Sequence, residues 1–394
     1  MKAIVLAAGY ATRLFPYTEN YPKSLLRIAG KPLIDYTMDR ILASRTIETV
    51  YVVTNSRFHQ PFTSWSLRYR EARAAAGEDL AVLQIVNDGT SSNEERLGSI
   101  GDLEFTLRTE GIDDDLLVIC SDKMFDFSLV EFINYFRSRG EAVNTCSDTH
   151  DPETIKGRFG CLLLGEDNRV IDFQEKPQKP KSSVKSFAFY IYPRKIIPLV
   201  KEYLDTGGNH DAPGYFTEWL CKRTPMYGWN IDGVCDDVGS PASYIAANRK
   251  YLAAEKGPFR EVKVLVLVQD ILDSELLTQV VRKLERWDRV TLVYLDAGRH
   301  GLAELQRWLA ENPPLLPVSL IENPDRGSAG ILAERYDCSV TIFLHRDTGP
   351  APFDLTFDLT FDGSAINWQS EIGRLLDSGS RVVIREGRIQ RQAT

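Results

Sequence analysis

Apolar positions along this chain keep two rhythms in turn. Residues 2–8 form an apolar run, the mark of a strand buried on both faces. A loop carrying Gly9, Arg13, Pro16 and Pro22 follows. Pro32 then opens a helix, with Leu33, Ile34, Thr37, Met38, Ile41 and Leu42 at helical spacing. The pattern next predicts a strand at 49–54, a helix at 62–76 and a strand at 81–86. A helix at 94–109, a strand at 116–120 and a helix at 128–138 continue it. Strand and helix taking turns mean βαβ units and a mostly parallel sheet. Such sheets bind ligands beyond the carboxyl ends of their strands.

From about residue 141 the rhythm changes. Strands are expected at 159–164, 169–174, 185–192 and 226–235, with helices near 194–205 and 215–223. This reads as a small β layer inserted over the first half, and a helix at 240–254 closes it. The stretch Glu255-Lys256-Gly257-Pro258 reads as a linker. The βαβ signal then restarts: strands at 262–268, 290–295, 318–321 and 340–344, helices at 273–287 and 302–311. At 353–362, FDLTFDLTFD alternates with period two, as a half-buried strand does. The expectation is an α/β protein. A Rossmann-like, mixed and mostly parallel sheet with a small β insertion fills 1–254. Residues 255–261 link it to a second α/β domain at 262–394. A fragment ending near Glu255 is expected to fold by itself.

Composition narrows the function. Hydrophobic residues make up 43% and charged residues 26%, which is ordinary globular usage. A net charge of -8 argues against a broad basic face for duplex DNA. The six cysteines form no C-x-x-C pair, which excludes a zinc ribbon or a thioredoxin motif and suggests reduced thiols in the cytoplasm. The histidines form no H-E-x-x-H pattern. The apolar run Ala3–Ala8 is too short for a secretory leader, and no apolar stretch is long enough to span a membrane. Neither a nucleic acid nor a membrane is expected as a partner.

The most informative segment is LAAGYATRLFPYTENYPKSLLRIAGKPLIDY, residues 6–36. The chain turns at Gly9, and Ala11 and Thr12 keep the turn slim enough for backbone N–H groups to approach phosphate oxygens. Arg13 offers a fork of donors, and Lys23 adds a mobile point charge. One such loop suits a triphosphate.

This loop resembles the G-x-G-T-R-x-x-P-x-T…P-K signature of the sugar nucleotidyltransferases. Gly9, Thr12, Arg13, Leu14, Pro16, Thr18, Pro22 and Lys23 fall at the family's positions. Tyr10 and Ala11 depart from it. The resemblance covers about 250 residues, and it implies a GT-A-type sheet and a set of roles. Leu6, Ala8, Gly9, Asn93 and Gly98 would meet the nucleotide, with Gly89 nearby. Arg13 and Lys23 would be catalytic. RFG at 158–160 would give Gly160 to the sugar, and FQEKP at 173–177 would give Glu175 to its hydroxyls and Lys176 to its phosphate. LLVICSD ends at Asp122, and DVGSPASY begins at Asp237; these two would hold Mg²⁺. Asp211 or Glu218, in HDAPGYFTEWL, would read the acceptor. Where the family has G-D-N, this chain has Ser121-Asp122-Lys123. Alternation at a strand end sends Lys123 away from Asp122.

The implied reaction joins a nucleoside triphosphate and a sugar 1-phosphate into an NDP-sugar and pyrophosphate, with Mg²⁺ as cofactor. The closest branch is the glucose-1-phosphate thymidylyl/uridylyltransferases. Two alternatives stay open: a non-catalytic nucleotide-sugar sensor or regulatory subunit, and a cytidylyltransferase for phosphocholine or a phosphonate. A homo-oligomer also stays open. Residues 318–352 faintly resemble the donor half of inverting GT-A glycosyltransferases, but the strand there ends His345-Arg346-Asp347 without the first carboxylate of D-x-D. A degenerate α/β module is the preferred reading of residues 262–394.

Overall fold

The computed structural model describes residues 1–78, 81–256, 262–268, 274–285, 290–296, 298–312, 314, 316–321, 340–344, 381–385 and 388–392. The FDLTFDLTFD strand, the His345-Arg346-Asp347 strand end, Cys338 and linker residues 257–261 lie outside them. The chain divides into two compact units. One holds Met1–Tyr10 and Leu33–Val238, the other Ala11–Pro32 and Gly239–Thr394.

The first unit is built on a nine-stranded sheet. Its parallel core runs in the order Val82–Asn87, Thr49–Thr54, Lys2–Leu6, Leu116–Cys120. The apolar runs explain that placement: Ala3, Ile4, Val5, Val50, Val52, Leu116 and Leu117 are wholly buried, as in a sheet covered on both faces. Val184–Tyr192 pairs antiparallel with Leu116–Cys120 and carries the inserted layer. On it lie Ala142–Asp148, followed by Met226–Asn230, and the hairpin Gly160–Leu164 with Val170–Gln174. The strand Ala142–Asp148 goes beyond the sequence expectation, because Asn144, Thr145 and Ser147 dilute its apolar signal. Its polar groups are used inside: Asn144 donates to the carbonyls of Phe187 and Phe189 and accepts from Ser186.

The expected strand 226–235 is two strands. Met226–Asn230 belongs to the main sheet, and Cys235–Asp237 pairs antiparallel with Lys123–Phe125 as a separate ribbon. Gly233, at φ 143°, sits in the bend, and Asp126 accepts the N–H of Val234 at 2.5 Å. Phe125 anchors the ribbon, its ring 4.7 Å from both Phe127 and Phe189.

Among the described residues, the second unit contains a six-stranded sheet ordered Val318–Ile321, Val290–Asp296, Val262–Val268, Val340–Leu344, Arg381–Arg385, Arg388–Gln392. All pairings are parallel except the last. The helix Ser274–Glu285 buries Leu277, Val280, Val281 and Leu284, one face at helical spacing.

Residues 11–32 belong to this unit, and their partners are spread through it. Thr18 donates to the Ala11 carbonyl at 2.8 Å, and the Tyr17 ring packs edge-on against Tyr244 at 5.1 Å. The short hairpin Arg27–Ile28 with Lys31–Pro32 turns at Ala29 and Gly30, and Asn248 accepts the Ala29 N–H at 3.0 Å. The Arg27 guanidinium donates to the Glu285 carbonyl, and Ser319 donates to Glu19 at 2.7 Å. A fragment ending at Glu255 lacks the last two partners. Limited proteolysis should therefore cut within 11–32 faster in that fragment than in the full chain. Equal protection in both would show that the loop holds without the second sheet.

Candidate active site

The first strand ends at the edge where ligands bind in such sheets. Leu6 and Ala8 are buried, so only their backbone is presented there: the Leu6 carbonyl accepts from Ser121 N–H at 3.1 Å, and the Ala8 carbonyl from Asn55 at 2.8 Å. A Cβ added at Gly9 would meet nothing within 4 Å, so neither packing nor fold requires glycine there. Ala11 takes the left-handed conformation, φ 49° and ψ 41°, which explains why the related signature carries glycine there. Arg13 is exposed on the 3-10 turn Thr12–Leu14, and Lys23 is half-buried at the start of the turn Lys23–Leu25.

Beside that edge, a buried polar chain holds the segment 87–90. The Tyr10 hydroxyl lies 3.3 Å from that of Thr90, and Asp88 accepts from Thr90 N–H at 2.7 Å and its hydroxyl at 2.9 Å. Asp102, on the helix Gly98–Thr109, lies next to Asp88, and burial together with that neighbouring acid pushes its carboxyl up to about 8. Tyr10, Asp88, Thr90 and Asp102 escape sequence reasoning. Tyr10 in particular reads there as a mere departure from the signature. Asn93 lies in the turn before the helix, its carbonyl accepting from Arg96 at 2.9 Å. The helix begins at Gly98 rather than at 94. At φ 77°, Gly98 lies against the 210 loop, where an added Cβ would come within 2.4 Å of the His210 carbonyl. Ser99 and Ile100 N–H donate to the carbonyls of Asp211 and His210 at 3.2 and 3.0 Å. In this structure, then, Gly98 accommodates a neighbouring loop.

Gly160, Glu175 and Lys176 come together on the inserted hairpin. A Cβ at Gly160 would lie 2.6 Å from the Phe173 ring and 2.9 Å from Ser186. The Glu175 carboxylate is only 9% exposed and reaches Lys176 Nζ at 3.6 Å. Burial raises its pKa, and Lys176 opposes that rise. It lies under the first turn of the helix Pro213–Leu220, where Gly214 makes room for it. Glu218 accepts the Glu175 N–H at 3.4 Å and so joins this group, whereas Asp211 pairs with Arg96 at 3.3 Å.

Asp122 and Asp237 also come together, but a third side chain lies between them. Lys123 Nζ is 3.3 Å from Asp122 Oδ1 and 3.1 Å from Asp237 Oδ1. The expectation that Lys123 points away from Asp122 is corrected here, and the reason is local. The strand ends at Cys120, Ser121 and Asp122 form a turn, and a new strand starts at Lys123, so alternation does not carry across. In the ribbon Lys123 stands directly opposite Asp237, and Val238 N–H donates to the Asp122 carbonyl at 3.1 Å. Burial works against the ammonium's charge, and Asp122 and Asp237 overcome it, holding its pKa above the ordinary lysine value. Lys185, unforeseen from the sequence, belongs to the same cluster. Its Nζ sits 3.9 Å from the Phe159 ring centre and 4.5 Å from that of Phe187, and burial lowers its pKa. Burial pushes the neighbouring Cys235 thiol up to about 12.

A Mg²⁺ held by both carboxylates does not fit this arrangement. Mg²⁺ binds oxygen at about 2.0–2.1 Å, and Lys123 Nζ fills the space between the two. Among the described residues, no group of three or more His, Cys, Asp or Glu is placed to hold a metal.

The first unit's sheet is that of nucleotidyltransferases. A UDP-glucose pyrophosphorylase solved with UDP-glucose superposes with a TM-score of 0.54 at 19% identity, covering 64% of this chain and 99% of that one. The UDP-glucose pyrophosphorylase of Acinetobacter baumannii gives 0.52 at 18%, covering 65% and 94%. The family model for nucleotidyl transferases matches residues 2–254, and the chain belongs to that family. The bifunctional protein GlmU of Methanocaldococcus jannaschii is 28% identical over 253 residues, which is 64% of this chain and 54% of that protein. The glucose-1-phosphate adenylyltransferase of Fervidobacterium nodosum is 27% identical over 251 residues, 62% and 60%. The match thus spans less than two thirds of the length of either relative. Among the described residues, no helix is long and apolar enough to cross a membrane.

Three outcomes follow from this geometry. Asp102 keeps its proton in the folded chain at pH values where an unfolded aspartate, with a pKa of about 3.9, has lost it. Its contribution to stability is therefore complete below about 3.9, declines from there as pH rises, and is gone above about 8. Asp102→Asn should flatten that decline in thermal midpoints measured across the range, and an unchanged slope would show that Asp102 does not cause it. Gly214→Ala would place Cβ 1.8 Å from Glu175 Oε2. It should destabilise by about 1–3 kcal/mol in denaturant titration, as overpacking does. Gly9→Ala, with open space around it, should leave stability nearly unchanged.

Proposed function

We propose that the protein transfers a nucleoside monophosphate from a nucleoside triphosphate to a sugar 1-phosphate, releasing pyrophosphate. The observation that carries this reading is the Glu175–Lys176 pair: a carboxylate 9% exposed beside an ammonium 46% exposed, at the end of an inserted strand. A buried acceptor next to an accessible cation suits a sugar hydroxyl next to a phosphate. A phosphocholine acceptor offers no ring hydroxyl for Glu175, so the sugar is preferred.

The chemistry asks little of the protein in protons. The attacking phosphate is largely dianionic at pH 7, its second pKa being about 6. Its oxygen bonds to the α-phosphorus while the bond to the pyrophosphate oxygen breaks, and the electron pair leaves with pyrophosphate. What the residues supply is position and charge. Lys176 holds the attacking phosphate and Glu175 orients the sugar. The backbone at Gly9 approaches the nucleotide. By the resemblance of the loop, Lys23 would meet the α-phosphate and Arg13 the departing pyrophosphate, whose charge grows as the bond breaks.

The test is a panel of nucleoside triphosphates against sugar 1-phosphates, with Mg²⁺ present as the nucleotide's counter-ion, scored by pyrophosphate release. One pair should turn over. No release from any pair, with nucleotide sugars still bound, would assign the protein to sensing instead. With the active pair, Arg13→Ala should lower kcat by at least about a hundredfold and change KM far less, since its interaction strengthens in the transition state. A rise in KM alone would make Arg13 a ground-state anchor.

A further inference from the structure

We propose that Lys123 is the resident cation of the Asp122–Asp237 pair, so that the protein alone takes up no divalent metal there. Three observations carry this. The ammonium is within 3.3 Å of one carboxylate and 3.1 Å of the other, on a side chain only 14% exposed. Its place is set by register, because Lys123 and Asp237 are direct partners across the antiparallel ribbon. Lys185 stands in the same electrostatic cluster, interacting with Lys123, Asp237 and Cys235.

Asp122 and Asp237 bring two negative charges, Lys123 stands in contact with both, and Lys185, with Arg158 near it, adds further positive charge to the same place. Adding Mg²⁺ would raise the positive charge of a half-buried place, at a cost in both repulsion and desolvation. An ammonium has three N–H donors. Lys123 Nζ stands in ion-pair range of both carboxylates, so the same ammonium can offer a donor to a phosphate oxygen as well. Lys123 then performs in the protein's own chain the service of a bridging metal: it joins the carboxylates to an anionic substrate. That last role rests on the proposed transfer reaction. Metal uptake does not, and it is measured without substrate, so failure of one reading is distinguishable from failure of the other.

Mn²⁺ is the probe. It is titrated into the full chain without nucleotide, followed by loss of the free-ion EPR signal and by the thermal midpoint. Wild type should bind no Mn²⁺ that Asp237→Asn removes. Lys123→Asn, which takes away the like charge, should bind Mn²⁺ at least about tenfold more tightly than wild type. Its midpoint should rise with added Mn²⁺. The double variant Lys123→Asn/Asp237→Asn should lose both responses. Wild-type binding that disappears in Asp237→Asn would overturn the proposal, and so would a folded Lys123→Asn protein that gains no affinity. Should Lys123→Asn not fold, the comparison of wild type with Asp237→Asn decides alone.

Discussion

The candidate site depends on one pairing, the three-residue ribbon between Lys123–Phe125 and Cys235–Asp237. It returns the chain to the carboxyl edge of the parallel sheet after the whole inserted layer has been laid down. Without it Asp237 would have no fixed relation to Asp122. So short a ribbon has few hydrogen bonds of its own. Its position comes from the Phe125, Phe127 and Phe189 rings beneath it and from Asp126, which caps the bend at Val234. Once the register is set, the ion triad follows from geometry. Two acids and a lysine on facing positions are forced to share one half-buried space. Pairing is then what makes their charges tolerable.

The remaining parts of the first unit meet the same edge with the same economy of polar groups. Asn55 ties the end of the first strand, and Tyr10, Thr90, Asp88 and Asp102 tie the segment that follows Val82–Asn87. Glu175 is lodged beneath the start of a helix that has a glycine where any other side chain would collide with it. These groups sit on strand ends and helix starts rather than on long loops. That placement gives fixed positions for partners that carry charge.

Much of this was legible in the residues, for physical reasons that also mark where reading stops. Strands such as Ala3–Val5 and Val50–Val53 announce themselves because burial on both faces leaves an uninterrupted apolar run. The loop at 9–23 was legible because its small residues, Arg13 and Lys23 follow one another in sequence. The motifs bring Asp122 and Asp237 together, as the structure does, but alternation misplaces Lys123. Alternation holds only within a continuous strand, and nothing in the local sequence shows the turn at Ser121-Asp122. Lys185 stayed hidden because its partners Phe159 and Asp237 are remote in sequence. The strand at 142–148 stayed hidden because buried Asn144 and Thr145 read as surface. The pairing of the loop at 11–32 with Glu285 and Ser319 has no sequence signature at all.

That pairing makes the loop bearing Arg13 a passenger of the second sheet. Its anchor at Arg27 is the last carbonyl of a helix, Ser274–Glu285, that is otherwise committed to its own sheet through Leu277, Val280, Val281 and Leu284. Sliding that helix by one turn would carry the anchor about 5.4 Å, beyond the reach of the guanidinium. The length of this helix and the place of a loop more than two hundred residues earlier in the chain are therefore set together.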